Sequence, residues 1–234
     1  MSTMDILTGR KILEIVKSPF NGTITVVREL AWGTNIQVGG LPQSGGLAKT
    51  IWQKSLRSVK GMRSEIKTVL VLGFAGGGIS EICRKYWPDS KVYGVDIDPA
   101  MVEMGRKYLG WESNEVRVWI DDASKFVNSL IQKGVPSGKV AEGSMATKTK
   151  VPKTYDLVCV DMYVGSTIPK QFDTVEFAKK VKKLIKPDGI AVFNRLYGSH
   201  DTGHAEKFKE KLDTVFPRVK IVYPDANIMF LCER

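Results

Sequence analysis

The run Val69-Leu70-Val71-Leu72-Gly73-Phe74-Ala75-Gly76-Gly77-Gly78 decides the fold. Four apolar residues break into a glycine turn, and a helix candidate over 78–86 follows directly. A strand that is apolar on nearly every residue is buried on both faces, as in a parallel sheet. Glycines in the turn let the backbone pass close to a ligand and take positive φ angles. A tight turn with no ligand explains the glycines equally well when they are taken alone. The strict dinucleotide pattern G-x-G-x-x-G wants glycine where this chain has Ala75, which disfavours a nicotinamide-dependent dehydrogenase.

Outward from this junction, strand candidates at 68–73, 91–97, 115–120, 155–161 and 189–194 alternate with helix candidates near 78–86, 99–108, 122–133 and 173–185. That alternation predicts βαβ units around a parallel sheet. Beyond Asn194 come a helix around 203–215 and two extended stretches, 218–223 and 227–233, joined by Pro224, Asp225 and Ala226. A turn this short joins only antiparallel neighbours. The expected fold is α/β, a Rossmann-like doubly wound sheet of about seven strands with an antiparallel last strand.

Residues 1–48 differ in character. ILEIVKS and GTITVVREL alternate as exposed antiparallel strands do, and TNIQVGGLPQSGG reads as a third strand with a glycine-rich end, so a small N-terminal β-hairpin region is expected. Residues 49–234 form the main domain, and within it 134–153 is polar, unpatterned and expected to be a mobile insertion.

Composition excludes several classes. No apolar run approaches the roughly 18 residues of a membrane-spanning helix, and the first residues lack the pattern of a signal peptide, so a cytoplasmic protein without a membrane partner is expected. Cys83, Cys159 and Cys232 are far apart and lie in apolar segments, which reads as buried free thiols. His200 and His204 have the spacing of a helical metal pair, but they sit in a loop entering a helix, so no metal is expected. The formal charge of +10 raises the question of nucleic acid. Its lysines fall along one helix and in the insertion, without aromatic residues to stack on bases, so nucleic acid is not favoured.

Acidic residues close the successive strands. Asp96 follows Gly73 by 23 positions, and in an open α/β sheet both strand tips face one crevice, where a carboxylate can accept hydrogen bonds from ribose hydroxyls. Gly73, Phe74, Ala75, Gly76, Gly77, Asp96 and Ile97 are therefore candidate nucleoside contacts. Asp98 precedes Pro99 and reads as a helix N-cap. Asp121, Asp122 and Ala123 end the third strand, where a carboxylate can meet an adenine amino group, and one of the pair caps the next helix. Asp161 ends the fourth strand, with Tyr163 beyond it. Carboxylates at every tip repel phosphates and suit a cationic nucleoside.

With these motifs in hand, the chain resembles the spermidine synthase family, which shares the class I S-adenosylmethionine-dependent methyltransferase fold. VLVLGFAGGG is similar to the family's glycine motif, GVDIDP to its ribose-binding motif, DDASKF to its adenine-side motif, YDLVCVD to the strand bearing its catalytic aspartate, and LIKPDGIAVFN to its fifth-strand approach. The N-terminal region through Gln43 and Ser44 resembles its β-hairpin domain. The resemblance implies S-adenosylmethionine or decarboxylated S-adenosylmethionine as cofactor and Asp161 as the residue that orients or deprotonates an acceptor; Tyr163 is expected to line the acceptor pocket, and Arg195 and Gln43 to face the mouth, Gln43 as a cofactor contact. Val164 stands where the family carries a second aspartate, and Lys49-Thr50-Ile51-Trp52-Gln53-Lys54 replaces its acidic and Tyr-His-Glu segment. Without those groups a polyamine's ammonium charges lack partners, so methyl transfer to a small-molecule acceptor is expected ahead of aminopropyl transfer. A noncatalytic nucleoside-binding module is the third reading, and a homodimer is left open.

Overall fold

The computed structural model describes residues 9–112, 115–145, 150–197 and 202–234. The chain begins with four strands, β1 (Arg10–Ser18), β2 (Gly22–Glu29), β3 (Gly33–Val38) and β4 (Leu41–Gly45), each antiparallel to the next. The expected third strand is thus a hairpin. Gly39 and Gly40 take φ of 57° and 80°, the left-handed pair that a two-residue turn between twisted strands requires. Gly46 then opens helix α1 (Gly46–Met62).

The main sheet follows the expected alternation: β5 (Thr68–Leu72), α2 (Gly78–Tyr86), β6 (Lys91–Asp96), α3 (Pro99–Leu109), β7 (Val116–Ile120), α4 (Ala123–Lys133), β8 (Lys139–Val140), β9 (Tyr155–Val160), α5 (Val175–Lys183), β10 (Ile185–Leu196), α6 (Thr202–Asp213), β11 (Arg218–Val222) and β12 (Asn227–Glu233). The spatial order is β11-β12-β10-β9-β5-β6-β7-β8. The pairs of β10 with β9, β9 with β5, β5 with β6 and β6 with β7 are parallel. Strand β12 runs antiparallel between β10 and β11. The strand beyond the expected seven is β8. It comes from the segment read as an unpatterned insertion, pairs Trp119 with Val140 on β7, and is followed by the buried Met145.

Alternation along the buried strands feeds two cores. Leu70, Leu72, Val158 and Val160 face Phe126, Phe177 and Phe208 of α4, α5 and α6. Val69, Val71, Leu157 and Cys159 face Trp52, Leu56, Ile82 and Val102 of α1, α2 and α3. The N-terminal sheet has its own seat, where Ile24, Val26 and Ile36 pack on Met101 and Met104 of α3. The three cysteines are buried free thiols. No described helix is long and apolar enough to cross a membrane.

The chain proceeds from β5 to β6 on one side and later places β9 on the other, so the sheet reverses direction between β5 and β9. In open α/β sheets that reversal opens a crevice at the carboxyl ends of the strands. At the opposite end Asp156 staples the same two strands. It accepts from the Lys67 amide (3.1 Å), the Thr68 amide and hydroxyl (both 2.8 Å) and the Lys186 ammonium (2.9 Å). Burial pushes the carboxyl up, but the Lys186 and Thr68 bonds outweigh it and leave the pKa below the ordinary value of 3.8. A depressed carboxylate stabilises the fold above its unfolded pKa and loses that contribution as pH falls through the folded value. Asp156→Ala is expected to cost about 1–3 kcal/mol at pH 7. Its penalty in urea unfolding should shrink as pH falls below about 4.

Candidate active site

Three strand tips and a glycine loop converge at the crevice. Gly73 has φ of 82°, and a Cβ there would lie 2.1 Å from the Asp161 carbonyl oxygen, so only glycine lets the end of β5 pass the end of β9. The amides of Gly73 and Phe74 both donate to the Val95 carbonyl at 3.0 Å. Ala75 takes φ of 48°, the left-handed backbone that the motif expects of glycine. That turn points its amide at Asp96 Oδ2, 2.7 Å away, and the Asp98 amide donates to Oδ1 at 2.9 Å. Asp96 keeps an open edge toward the crevice and is otherwise enclosed by protein. Burial raises its pKa to about 6, against the two backbone bonds, with the charges of Asp98 and Asp161 adding to the rise.

The crevice is a cavity of about 430 Å³ lined by Asp96, Asp122 and Asp161 and by apolar side chains that include Ile97, Met162 and Phe172. Among the described residues that line it there is no Lys, Arg or His. Asp122 caps α4 through the Lys125 amide at 3.0 Å and takes a 3.4 Å bond from Gln171 on its other oxygen. Asp161 is bound on both oxygens, by the Asn194 amide at 2.8 Å and the Trp52 indole N–H at 2.7 Å. Burial raises its pKa, and those two donors and the Arg195 charge oppose the rise.

The remaining expected residues divide. Gly73, Ala75, Ile97, Ala123, Gln43 and Tyr163 line the cavity. Gln43 reaches across the mouth to the Gly165 carbonyl at 3.4 Å, and the Tyr163 hydroxyl accepts from the Leu196 amide at 2.7 Å. Phe74 points away into the core, edge-on to Trp111 at 5.5 Å, and Gly76 and Gly77 lie behind the turn against α3 and Trp111. Asp121 binds the Ser137 hydroxyl of the insertion and is outside the cavity lining. Arg195 is on the far face of β10, stacked 3.6 Å over Phe208, where burial lowers its pKa to about 10. His204 is exposed near the start of α6, and His200 lies outside the described residues.

Four features of the site went unread in the sequence: Trp52, Asn194, Asn227 and the second role of Asp98. Asp98 caps α3 as expected, through the Ala100 amide at 2.9 Å. Its other oxygen takes 2.6 Å bonds from Ser18 and Asn21, which brings Phe20 and Asn21 of the β1–β2 turn over the cavity.

Sheet order and crevice together define an open α/β protein of the Rossmann-like class with its site at the switch point. The chain belongs to the spermine/spermidine synthase domain family, whose model matches residues 50–224. It is 27% identical over 169 residues to the human eEF1A lysine and N-terminal methyltransferase, covering 70% of this chain and 22% of that protein. It is also 27% identical over 218 residues to the polyamine aminopropyltransferase of Clostridium perfringens (strain SM101), covering 91% and 68% of the two chains. The crystal structure of spermidine synthase from Thermotoga maritima superposes with a TM-score of 0.71 at 16% identity, covering 94% and 72%, a likeness of fold. The chain thus spans about a fifth of the human relative's length.

The loop's position depends on one further contact. A Cβ on Gly105 of α3 would lie 2.3 Å from the Gly76 Cα, so the helix can seat against the loop only as glycine. Gly105→Ala is expected to lower stability by about 1–3 kcal/mol by overpacking. Gly61→Ala, in α1 with nothing within 4 Å, should instead raise it by about 0.5–1 kcal/mol in the same thermal unfolding assay.

Proposed function

We propose that this chain is an S-adenosylmethionine-dependent transferase that methylates an amine. The observation that carries the reading is the convergence of Asp96, Asp122 and Asp161 on one cavity that, among the described residues, no cationic side chain lines. The donor set fits the cofactor. Asp96 has its backbone-facing sites filled and its open edge free to accept two ribose hydroxyls, while Asp122 and Ala123 offer a site for the adenine amino group. Ile97 and Met162 supply apolar surface for the base. A cavity with carboxylates and no cations favours a sulfonium over a phosphate.

Bound there, the cofactor supplies an electrophilic carbon on a positively charged sulfur. The protein's work is alignment, holding the acceptor nitrogen in line with the breaking C–S bond as the N–C bond forms. Asp161 is the one lining carboxylate not assigned to the nucleoside. Its raised pKa suits it to receive an ammonium proton and then to accept from a remaining N–H, so that the freed lone pair can turn toward the cofactor. Tyr163 walls the acceptor side.

One spare carboxylate matches an acceptor with one ammonium group on an aliphatic chain. A polyamine would leave its other ammonium groups uncompensated, because Val164 and the cavity face of α1 supply no acid. A small-molecule amine meets that requirement. Aminopropyl transfer is the second reading, supported by the extensive match to the Clostridium relative. Incubation with either S-adenosylmethionine or its decarboxylated form, across monoamines, polyamines and a lysine peptide, should give product from the carboxylated donor with a monoamine. Product from the decarboxylated donor alone would establish the second reading, and tight nucleoside binding without any turnover would favour a binding module.

Asp96 also makes the cofactor site pH-sensitive. Ribose hydroxyls donate to the ionised carboxylate, so affinity for S-adenosylhomocysteine should be full above the Asp96 pKa of about 6 and decline as pH falls through it. Asp96→Ala should weaken binding by about 1–3 kcal/mol and remove that decline, as read by calorimetry from pH 5 to 8.

A further inference from the structure

Beside Asp161, and lining the cavity with it, lie two largely buried side-chain amides. Asn194, at the carboxyl end of β10, donates Nδ2 to Asp161 Oδ1 at 2.8 Å and accepts on Oδ1 from Asn227 Nδ2 at 2.7 Å. The two asparagines are 6% and 4% exposed. Asn227 opens β12, where its backbone N–H donates to the Pro224 carbonyl at 3.1 Å, and the neighbouring Asp225 is tied to Lys54 of α1 at 2.8 Å. The orientation of these amides is set by complementarity. Turning the Asn194 amide over would face its carbonyl to a carboxylate oxygen and its NH₂ to the Asn227 NH₂, two mismatches in a buried place.

We propose that Asn227 and Asn194 form a two-amide clamp that positions Asp161. Asp161 and Asn227 together fix which way the Asn194 amide faces. Asn194 and Trp52 then grip one oxygen each, leaving the cavity edge of the carboxylate for the acceptor nitrogen. Asn194 and Asn227 are positioning residues that act through Asp161. The consequence for catalysis rests on the transferase reading, whereas the clamp itself rests on the geometry alone. Other groups bearing on Asp161 are Arg195 across β10, Asp96 at the end of β6, Cys159 on its own strand and Lys49 of α1, which shares a small recess with it. None of them is altered by substituting Asn227.

The Trp52 indole N–H, bound to Asp161 at 2.7 Å, provides a reporter within the cofactor-free protein. In a ¹⁵N-labelled sample the chain's five indoles give separate resonances, and Trp52→Phe identifies the one of interest. Its shift should titrate with Asp161. Asn194→Leu should move the midpoint up by about one pH unit through loss of a hydrogen bond to the ionised form, and Asn227→Leu, which leaves the Asn194 amide less firmly oriented, should move it the same way by less. The other four indoles report in the same spectra that the fold is intact. A merely structural role would leave the Asn227→Leu midpoint in place, since Asn227 does not touch Asp161. Midpoints unmoved in both variants overturn the clamp, and a shift in Asn194→Leu alone removes Asn227 from it. With a working acceptor, both variants should lower kcat and move its acid limb upward while S-adenosylhomocysteine affinity is kept. Shifted midpoints without turnover on any acceptor would sink the transferase reading and leave the clamp standing.

Discussion

The carboxylate of Asp96 ties the glycine loop to the start of the next helix. One oxygen takes the amide of Ala75 from the glycine loop and the other takes the amide of Asp98 from the start of the next helix. Two residues on, Asp98 repeats the device with the helix N-terminus on one oxygen and the β1–β2 turn on the other. Placing two acids this close in a poorly hydrated region is unfavourable unless each oxygen is matched by donors. Charge-assisted bonds of this kind contribute about 1.5–3 kcal/mol apiece, enough to hold the loop, the sheet and the N-terminal hairpin in one arrangement.

That arrangement leaves little tolerance for added atoms. The Phe74 ring occupies the space beside Gly94, where a Cβ would lie 2.3 Å from it. Such contacts explain why the motif residues Phe74, Gly76 and Gly77 serve the cavity from behind. They fix where Gly73 and Ala75 stand, and those two line the cavity itself. The backbone cost of Ala75 at a positive φ, roughly 1–2 kcal/mol for a residue with a Cβ, is offset locally by its 2.7 Å bond to Asp96.

The main sheet was legible in the sequence because burial on both faces writes a continuous apolar run, and its site was legible because charge at a strand tip has no packing explanation. The same rule applied evenly would have found Asn194, which ends the run Gly189-Ile190-Ala191-Val192-Phe193-Asn194 as Asp161 ends its own. Its signal is weaker because an amide carries no charge. Trp52 was harder to read, since its apolar ring places it in the core and only the indole N–H betrays the site. Asn227 sits in a hairpin where asparagine has an ordinary turn role. The strand within 134–153 leaves no trace in the sequence, because two residues of β8 and one buried methionine carry no periodic signal. Asp121 and Asp122 are adjacent and chemically identical, so only the folded backbone separates the one that binds Ser137 from the one facing the cavity.

The N-terminal sheet bears on the chemistry through this same geometry. It contributes Phe20, Asn21 and Gln43 to the cavity wall, yet its own apolar seat is on α3, the helix that Asp98 caps and Gly105 fits against the loop. Roof and floor of the site therefore share one support. A displacement of α3 would move Ala75 and the β1–β2 turn together, because Asp96 and Asp98 sit on one rigid bend between β6 and that helix. Under the transferase reading, the precision needed to align a sulfonium carbon with an acceptor nitrogen is supplied here, in the stretch from Gly94 to Gly105, rather than by the side chains that touch the reacting atoms.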